Sequence, residues 1–160
     1  VDTVLIGGEG LQIGYSFVKS DLSGYIIVGA TSGGSGVTDA LMIRINADGE
    51  VDWTFQYGGV NNDVGYSIIY SDDGWVLAGQ TYNKSSGQGD VWLIKVSDFG
   101  ELEWEQVYGG VYNDIATDIY LAHDQGFIIC GSTYIQGNQN DGWLIKTDSR
   151  GNYKGIVGYP

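Results

Sequence analysis

The chain contains three consecutive copies of one sequence pattern, repeated every 51 residues. Each copy has a Gly-Gly pair, an Asp that opens an apolar run, and a cation near the end of that run. The pairs begin at Gly7, Gly58 and Gly109, the Asp residues are Asp39, Asp90 and Asp141, and the cations are Arg44, Lys95 and Lys146. Three independent markers with one period indicate a repeat architecture, in which each copy is one supersecondary unit. A feature present in every copy is therefore first a requirement of the fold.

Each repeat contains four strand-like segments separated by turn residues. In the second repeat these segments are residues 64–70, 75–79, 91–96 and 102–108. Gly, Asp and Ser fill the short gaps after the first and third segments, as is typical of tight turns. No segment has helical periodicity, so the pattern predicts an all-β protein. Four strands in about 50 residues correspond to one β-propeller blade or to one lobe of a β-trefoil.

The spacing of the recurrent residues within one repeat identifies the type of repeat more specifically than its strand pattern does. The second repeat combines Tyr57-Gly58-Gly59, Asn62-Asp63, a Gly-x-Thr segment that ends at Thr81, and an Asp-x-x-x-x-Lys run that ends at Lys95. This pattern resembles the SBBP-type β-propeller repeat of microbial secreted and surface proteins, and the resemblance extends over the whole chain. It implies a propeller fold and an extracellular or cell-surface location, and it implies no catalytic residues. The first repeat departs from the pattern, with Leu11-Gln12 in place of Asn-Asp.

The repeat boundaries predict one domain, residues 1–160, with three blades at about 7–57, 58–108 and 109–159. A propeller needs at least about four blades to close, so three blades leave apolar surface that a second protomer or further blades of a larger chain would cover. Residues 1–6 form an extra segment like a fourth strand, without three strands before it. We expect its apolar residues to pair with the sheet edge of another copy, which gives a closed homo-oligomer or a filament. These assembly residues are Val1, Val4, Leu5 and Ile6. A β-trefoil, which closes as a monomer, is the alternative.

The net charge of −13 disfavours nucleic acid and anionic membranes as partners, because both would be repelled. No run approaches 18 apolar residues, so no membrane-inserted segment is predicted. Cys130 is the only cysteine, and its alignment with Val28 and Ala78 predicts a small buried side chain. We expect no cofactor and no metal. Ca²⁺ is a weak alternative, because the Asp-rich turns lack the full ligand set of an EF-hand loop.

In a propeller, the loops that follow the second and fourth strands open on the same face. We predict that this face presents ligand-binding candidates for a glycan or a protein partner, namely Tyr82, Tyr112, Tyr134, Asp63 and Asp114. The repeated residues are interpreted as structural, since each Asp can accept hydrogen bonds from loop amides of its own blade. They are Asp39, Asp90, Asp141, Gly58, Gly59, Gly109 and Gly110.

A catalytic site is not expected. His123 is the only histidine and falls in a turn on the opposite side of the blade. A repeated Asp has a similar environment in every blade, whereas acid–base catalysis by two carboxyls needs environments that separate their pKa values. The sequence thus predicts a non-catalytic extracellular propeller module that acts as a binding or scaffold surface and self-assembles through its terminal strands. The alternative is a glycan-binding lectin, and a hydrolase that uses loop carboxylates is less favoured.

Overall fold

The structure is a computed structural model that describes residues 3, 5–8, 10–20, 23–32, 37–83, 88–135 and 139–156. The described residues form strands and turns. The strands are β1 (Gln12–Lys19), β2 (Tyr25–Thr31), β3 (Asp39–Ile45), β4 (Val51–Tyr57), β5 (Asp63–Ser71), β6 (Gly74–Thr81), β7 (Asp90–Ser97), β8 (Leu102–Tyr108), β9 (Asp114–Leu121), β10 (Phe127–Ile135), β11 (Gln139–Thr147) and β12 (Tyr153–Ile156). Across those ranges, no helix is long and apolar enough to cross a membrane.

The strands form three antiparallel sheets, each made of four consecutive strands. Strands β1–β4 form blade 1, β5–β8 form blade 2, and β9–β12 form blade 3. This confirms the predicted all-β, propeller-like fold of three four-stranded blades. It differs from the β-trefoil alternative, because the described strands stay in three separate sheets and close no barrel. The predicted strands of the second repeat agree with β5–β8 to within two residues.

The turn between the third and fourth strands explains one recurrent glycine. Gly49, Gly100 and Gly151 occupy the same place in the three blades, with φ values of +84°, +81° and +73°. Side chains rarely adopt this left-handed conformation, so glycine is the residue that the turn selects. The glycine series is therefore a backbone requirement that the repeat imposes on each blade.

Consecutive blades pack face to face. Strand β5 contacts β1, β2 and β3, and β9 contacts β5, β6 and β7. We call the face of a blade that is directed toward the preceding blade its front face, and the opposite one its rear face.

The first junction joins the rear face of blade 1 to the front face of blade 2. Its core contains Ile26, Val28, Ala40, Met42, Tyr57, Ile68, Trp75, Leu77, Trp92, Ile94 and Val96. The second junction joins blades 2 and 3, through Val76, Ala78, Val91, Leu93, Ala116, Ile119, Phe127, Ile129 and Ile145.

Blade 2 is covered on both faces, whereas each terminal blade is covered on one. All of β6 is buried, as is β7 from Asp90 to Val96. The front face of blade 1 has only a small cluster of Leu41, Ile43 and Ile45, with Ile6 and Ile27 against it. Large apolar side chains remain exposed on this face and on the rear face of blade 3, including Phe17, Tyr25 and Tyr120.

The extra segment at residues 1–6, which the sequence predicts to pair with another copy, forms no strand in the described part of the single chain. Thr3, Leu5 and Ile6 adopt no strand, while Val1 and Val4 lie outside the described residues. A strand is stable only when its amides pair with a sheet edge, and the described sheets pair with no strand from this segment. Leu5 is 93% exposed, and Ile6 packs on the front face of blade 1.

The predicted burial of Cys130 is wrong. Its counterparts Val28 and Ala78 are fully buried in the two junctions, whereas Cys130 is exposed. The reason is positional, because Cys130 lies on the rear face of blade 3, which no described blade covers. Burial at this position is a property of the junction and not of the repeat alone.

Candidate functional site

The loops after the second and fourth strands lie side by side, as predicted for a propeller. Asn62 and Asn113, in loops after fourth strands, accept backbone hydrogen bonds from Tyr82 and Tyr134, each at 3.1 Å. The Asn61 amide donates to Asn83 Oδ1 at 2.8 Å. These loops form one polar surface, which we call the loop face: residues 58–62, 82–83, 109–113 and 134–135.

Part of the loop face is used to join blades. Gln80 Nε2 donates to Asn113 Oδ1 and to the Asp114 carbonyl, both at 2.9 Å. The Tyr82 hydroxyl donates to Asn113 Oδ1 at 3.2 Å. Tyr82, one of the predicted ligand-binding residues, therefore also bridges blade 2 to blade 3.

Tyr112 and Tyr134 form an aromatic pair within the loops of blade 3. Their ring centroids are 5.5 Å apart and their planes are inclined by 56°. Both side chains are half-buried, so each keeps part of its ring accessible. Among the predicted ligand-binding tyrosines, Tyr112 and Tyr134 have their rings in direct contact.

The two predicted ligand-binding aspartates are buried and not exposed on the loop face. Asp63 is 0% and Asp114 is 3% exposed. Asp63 Oδ2 accepts hydrogen bonds from the Gly59 amide at 3.1 Å and from Asn83 Nδ2, and Asp114 Oδ2 accepts one from the Gly110 amide at 3.1 Å. Buried amides of the Gly-Gly loops need acceptors, so these carboxylates serve the loop backbone. Asp63 and Asp114 therefore cap the Gly-Gly loops of their own blades.

Asp39 and Asp90 also lie at the two junctions, where each belongs to the preceding blade. A Cβ added to Gly58 would lie 2.3 Å from Asp39 Oδ1 and 2.5 Å from Asp63 Oδ2. At Gly109 the corresponding distances to Asp90 Oδ1 and Asp114 Oδ2 are 2.2 and 2.6 Å. Each junction therefore brings together two carboxylates, one from each blade, around a glycine that leaves no room for a side chain. Asp141, the third member of the series, is exposed on blade 3.

Burial changes the acidity of the first of these pairs. Burial raises the pKa of Asp39 and the pKa of Asp63. The negative charge of Asp39 raises the pKa of Asp63 further. Hydrogen bonds from Thr81 and Gly59 act in the opposite direction on the pKa of Asp63. The Oδ1 atoms of Asp39 and Asp63 are buried and accept no hydrogen bond from the described residues.

Metal and acid–base chemistry receive little support from these residues. Within the described ranges, no group of three or more His, Cys, Asp or Glu side chains is arranged to hold a metal ion. His123 is exposed in the turn between β9 and β10, where it was predicted. The remaining assembly candidates, Leu5 and Ile6, lie at the front face of blade 1.

The front face of blade 1 is the second candidate surface. It contains an apolar groove of about 540 Å³, lined by Tyr15, Phe17, Tyr25, Ile27 and Ile45 among others. A neighbouring groove of about 270 Å³ includes Leu5 and Ile6 in its wall. Open apolar surfaces of this size are candidates for contact with a partner. The sequence predicts that three blades leave apolar surface uncovered, but it did not single out Phe17 and Tyr25, whose counterparts in blade 2 are Ile68 and Trp75.

Comparison with known proteins adds no relative. No protein-family model matches the chain, and no curated protein matches it. The resemblance to the SBBP-type repeat stays a prediction that rests on the residues quoted above.

Proposed function

We propose that the protein is a non-catalytic, extracellular or cell-surface β-propeller module that acts as a binding scaffold and self-assembles through its two ends. Assembly completes what three blades leave open, because each terminal blade has one apolar face without a neighbour. The SBBP-type resemblance supports the extracellular location.

The observation that carries this proposal is the exposure of the front face of blade 1. Phe17 is 69% and Tyr25 is 47% exposed, whereas their counterparts in blade 2, Ile68 and Trp75, are 4% and 1% exposed. Full burial of one large apolar side chain contributes about 1.5–3 kcal/mol. Covering this face would therefore stabilise an assembly by several such contributions.

The repeat position of residues 1–6 also supports strand exchange. The same repeat position supplies β4 and β8, the fourth strands of blades 1 and 2. Residues 1–6 of one copy are therefore suited to add to a sheet edge of another copy. Pairing of this kind satisfies backbone amides on both partners.

The buried aspartates support a non-catalytic role. Asp63 and Asp114 are the loop carboxylates that a hydrolase would use, and they are enclosed by the blades and engaged by loop amides. A carboxyl that acts on a substrate must come within hydrogen-bond reach of it. This geometry argues for a structural use of both groups.

Glycan binding is the alternative function, and the Tyr112–Tyr134 pair favours it. Sugar rings stack on accessible aromatic rings, and this pair lies on the loop face beside polar Asn side chains. A glycan array with the purified protein distinguishes the two functions, since a scaffold without sugar specificity gives no selective signal.

Sedimentation tests the self-assembly. We expect a particle heavier than the 17.3 kDa chain at micromolar concentration. Deletion of residues 1–6 should weaken or abolish assembly while the circular dichroism of the β-sheets is retained, because Leu5 and Ile6 lie at the open face and outside the three sheets. A full-length chain that sediments as a monomer throughout this range contradicts the proposal.

A further inference from the structure

We propose that the rear face of blade 3 in one copy docks onto the front face of blade 1 in a second copy, in the register of the internal junctions, with Asp141 facing Gln12. This inference rests on the self-assembly proposed above. It adds the two surfaces that meet, their register and the polar pair between them. The partner is a second copy of this chain.

The repeat determines which exposed residues of blade 1 correspond to buried ones. Phe17 pairs with Ile27 across β1 and β2, as Ile68 pairs with Leu77 across β5 and β6. Blade 1 therefore presents at its front face the same positions that blade 2 buries in the first junction. A face of this shape is complementary to the rear face of a blade of the same repeat.

Blade 3 supplies such a rear face. Cys130 pairs with Leu144 across β10 and β11, as Ala78 pairs with Leu93 in blade 2. Ala78 and Leu93 are fully buried in the second junction, whereas Cys130 is exposed. On the same face Tyr120 is 66% exposed. The rear face of blade 3 is thus a junction surface that has no blade against it in the single chain.

A segment near the N-terminus already indicates where the arriving blade sits. Tyr57, near the end of the fourth strand of blade 1, belongs to the core that covers the front face of blade 2. Ile6 is at the equivalent repeat position and packs on the front face of blade 1. The groove beside it is open, and the rear face of blade 3 of the other copy would cover it.

The polar residues at the new junction differ from those at the internal junctions in a complementary way. The first junction places Asp39 and Asp63 around Gly58. In the docked pair the corresponding residues are Asp141, from blade 3 of one copy, and Gln12, from blade 1 of the other. A glutamine amide donates a hydrogen bond to a carboxylate, whereas two carboxylates repel each other. The exchange of Asp for Gln at position 12 therefore favours the contact between copies.

The thiol of Cys130 reports this contact directly. We expect its reaction with a maleimide or with Ellman's reagent to slow as the protein concentration rises, in parallel with the sedimenting mass. The rate should fall about tenfold when nine-tenths of the blade 3 rear faces are covered, because only an uncovered rear face exposes the thiol. Circular dichroism recorded on the same samples shows that the fold is unchanged.

Two matched variants test the register. Gln12→Glu places a carboxylate against Asp141 and should weaken assembly at least about tenfold, the size of a lost charged contact, and the double variant Gln12→Glu/Asp141→Asn should restore it. Phe99→Glu adds the same charge at an exposed turn residue of blade 2, away from both docking faces, and should leave assembly unchanged.

The outcomes separate this inference from the proposed function. Association in which Cys130 reacts equally fast at all concentrations overturns the docking faces and leaves self-assembly standing. Association that Gln12→Glu does not weaken overturns the register. A monomer at all concentrations overturns both the inference and the proposed function.

Discussion

At the scale of single residues, the blade junctions are organised around a glycine and two carboxylates. Asp63 caps the Gly-Gly loop of its own blade, and Asp39 approaches from the preceding one. Two carboxyls brought this close in a buried place disfavour the state in which both are charged. The junction keeps them because Asp63 satisfies amides that would otherwise have no acceptor, and losing such an acceptor costs about 1–3 kcal/mol.

The pH dependence of stability follows from the raised pKa of Asp39. The folded protein binds this proton more tightly than the unfolded chain does, so the contribution of Asp39 to stability is lost as the pH rises from about 3.9 through the raised pKa. Asp39→Asn removes this loss. We expect the variant and the parent to be about equally stable below the ordinary pKa of Asp, and the variant to become the more stable of the two as the pH approaches neutrality.

Urea unfolding at several pH values measures this difference. Asp48→Asn, at an exposed turn residue of the same blade, makes the same change in net charge and serves as the control. A stability difference between the Asp39 variant and the parent that stays constant with pH rules out the explanation.

At the scale of elements, a cation near the end of each third strand forms a hydrogen bond to the turn between the first and second strands. Lys95 Nζ donates to the Ser71 carbonyl at 2.6 Å, and Lys146 Nζ donates to Asp124 at 2.7 Å. In blade 1, Arg44 Nη1 donates to Ser20 Oγ at 3.1 Å. The cation that recurs in every repeat therefore donates a hydrogen bond from β3, β7 or β11 to the turn of its own blade.

Lys95→Met tests the importance of this bond. Methionine keeps the apolar stem, but the Ser71 carbonyl loses its donor inside the blade. We expect a loss of about 1–3 kcal/mol in the free energy of unfolding. Lys19→Met, at an exposed position of β1, should change it by no more than about 0.5 kcal/mol. Equal stability of the two variants in urea unfolding would show that the Lys95 bond contributes nothing beyond a surface charge.

At the scale of the whole molecule, charge and apolar surface act in opposite directions on assembly. Each copy carries a formal net charge of −13, so two copies repel each other before their faces meet. The open faces of blades 1 and 3 are apolar and favour contact. Docking is head to tail, because a front face meets a rear face. It closes into a ring or continues as a filament according to the rotation between copies.

Salt should therefore strengthen the assembly. The Debye length falls from about 10 Å at 0.1 M to about 3 Å at 1 M salt, which screens the repulsion while the apolar contact persists. We expect the sedimenting mass at a fixed protein concentration to rise with NaCl. Dissociation at high salt would instead mean that ion pairs between copies hold the particle together.

The amino-acid sequence by itself determined the elements of this fold. The period of 51 residues, the turn residues and the apolar runs were enough to predict β5–β8 closely, because turn geometry and strand alternation depend on neighbours along the chain. The side-by-side loops followed from the propeller architecture. The resemblance that suggested this architecture came from the same local spacing.

Only the tertiary structure decided which repeated positions are buried and what each carboxylate does. Cys130 and Ala78 occupy the same repeat position, but a described blade packs over Ala78 and none packs over Cys130. Asp63 was expected on an open face and is enclosed, because the preceding blade covers it. Burial and acidity depend on contacts between blades, and a repeat pattern contains no information on how many blades surround each copy.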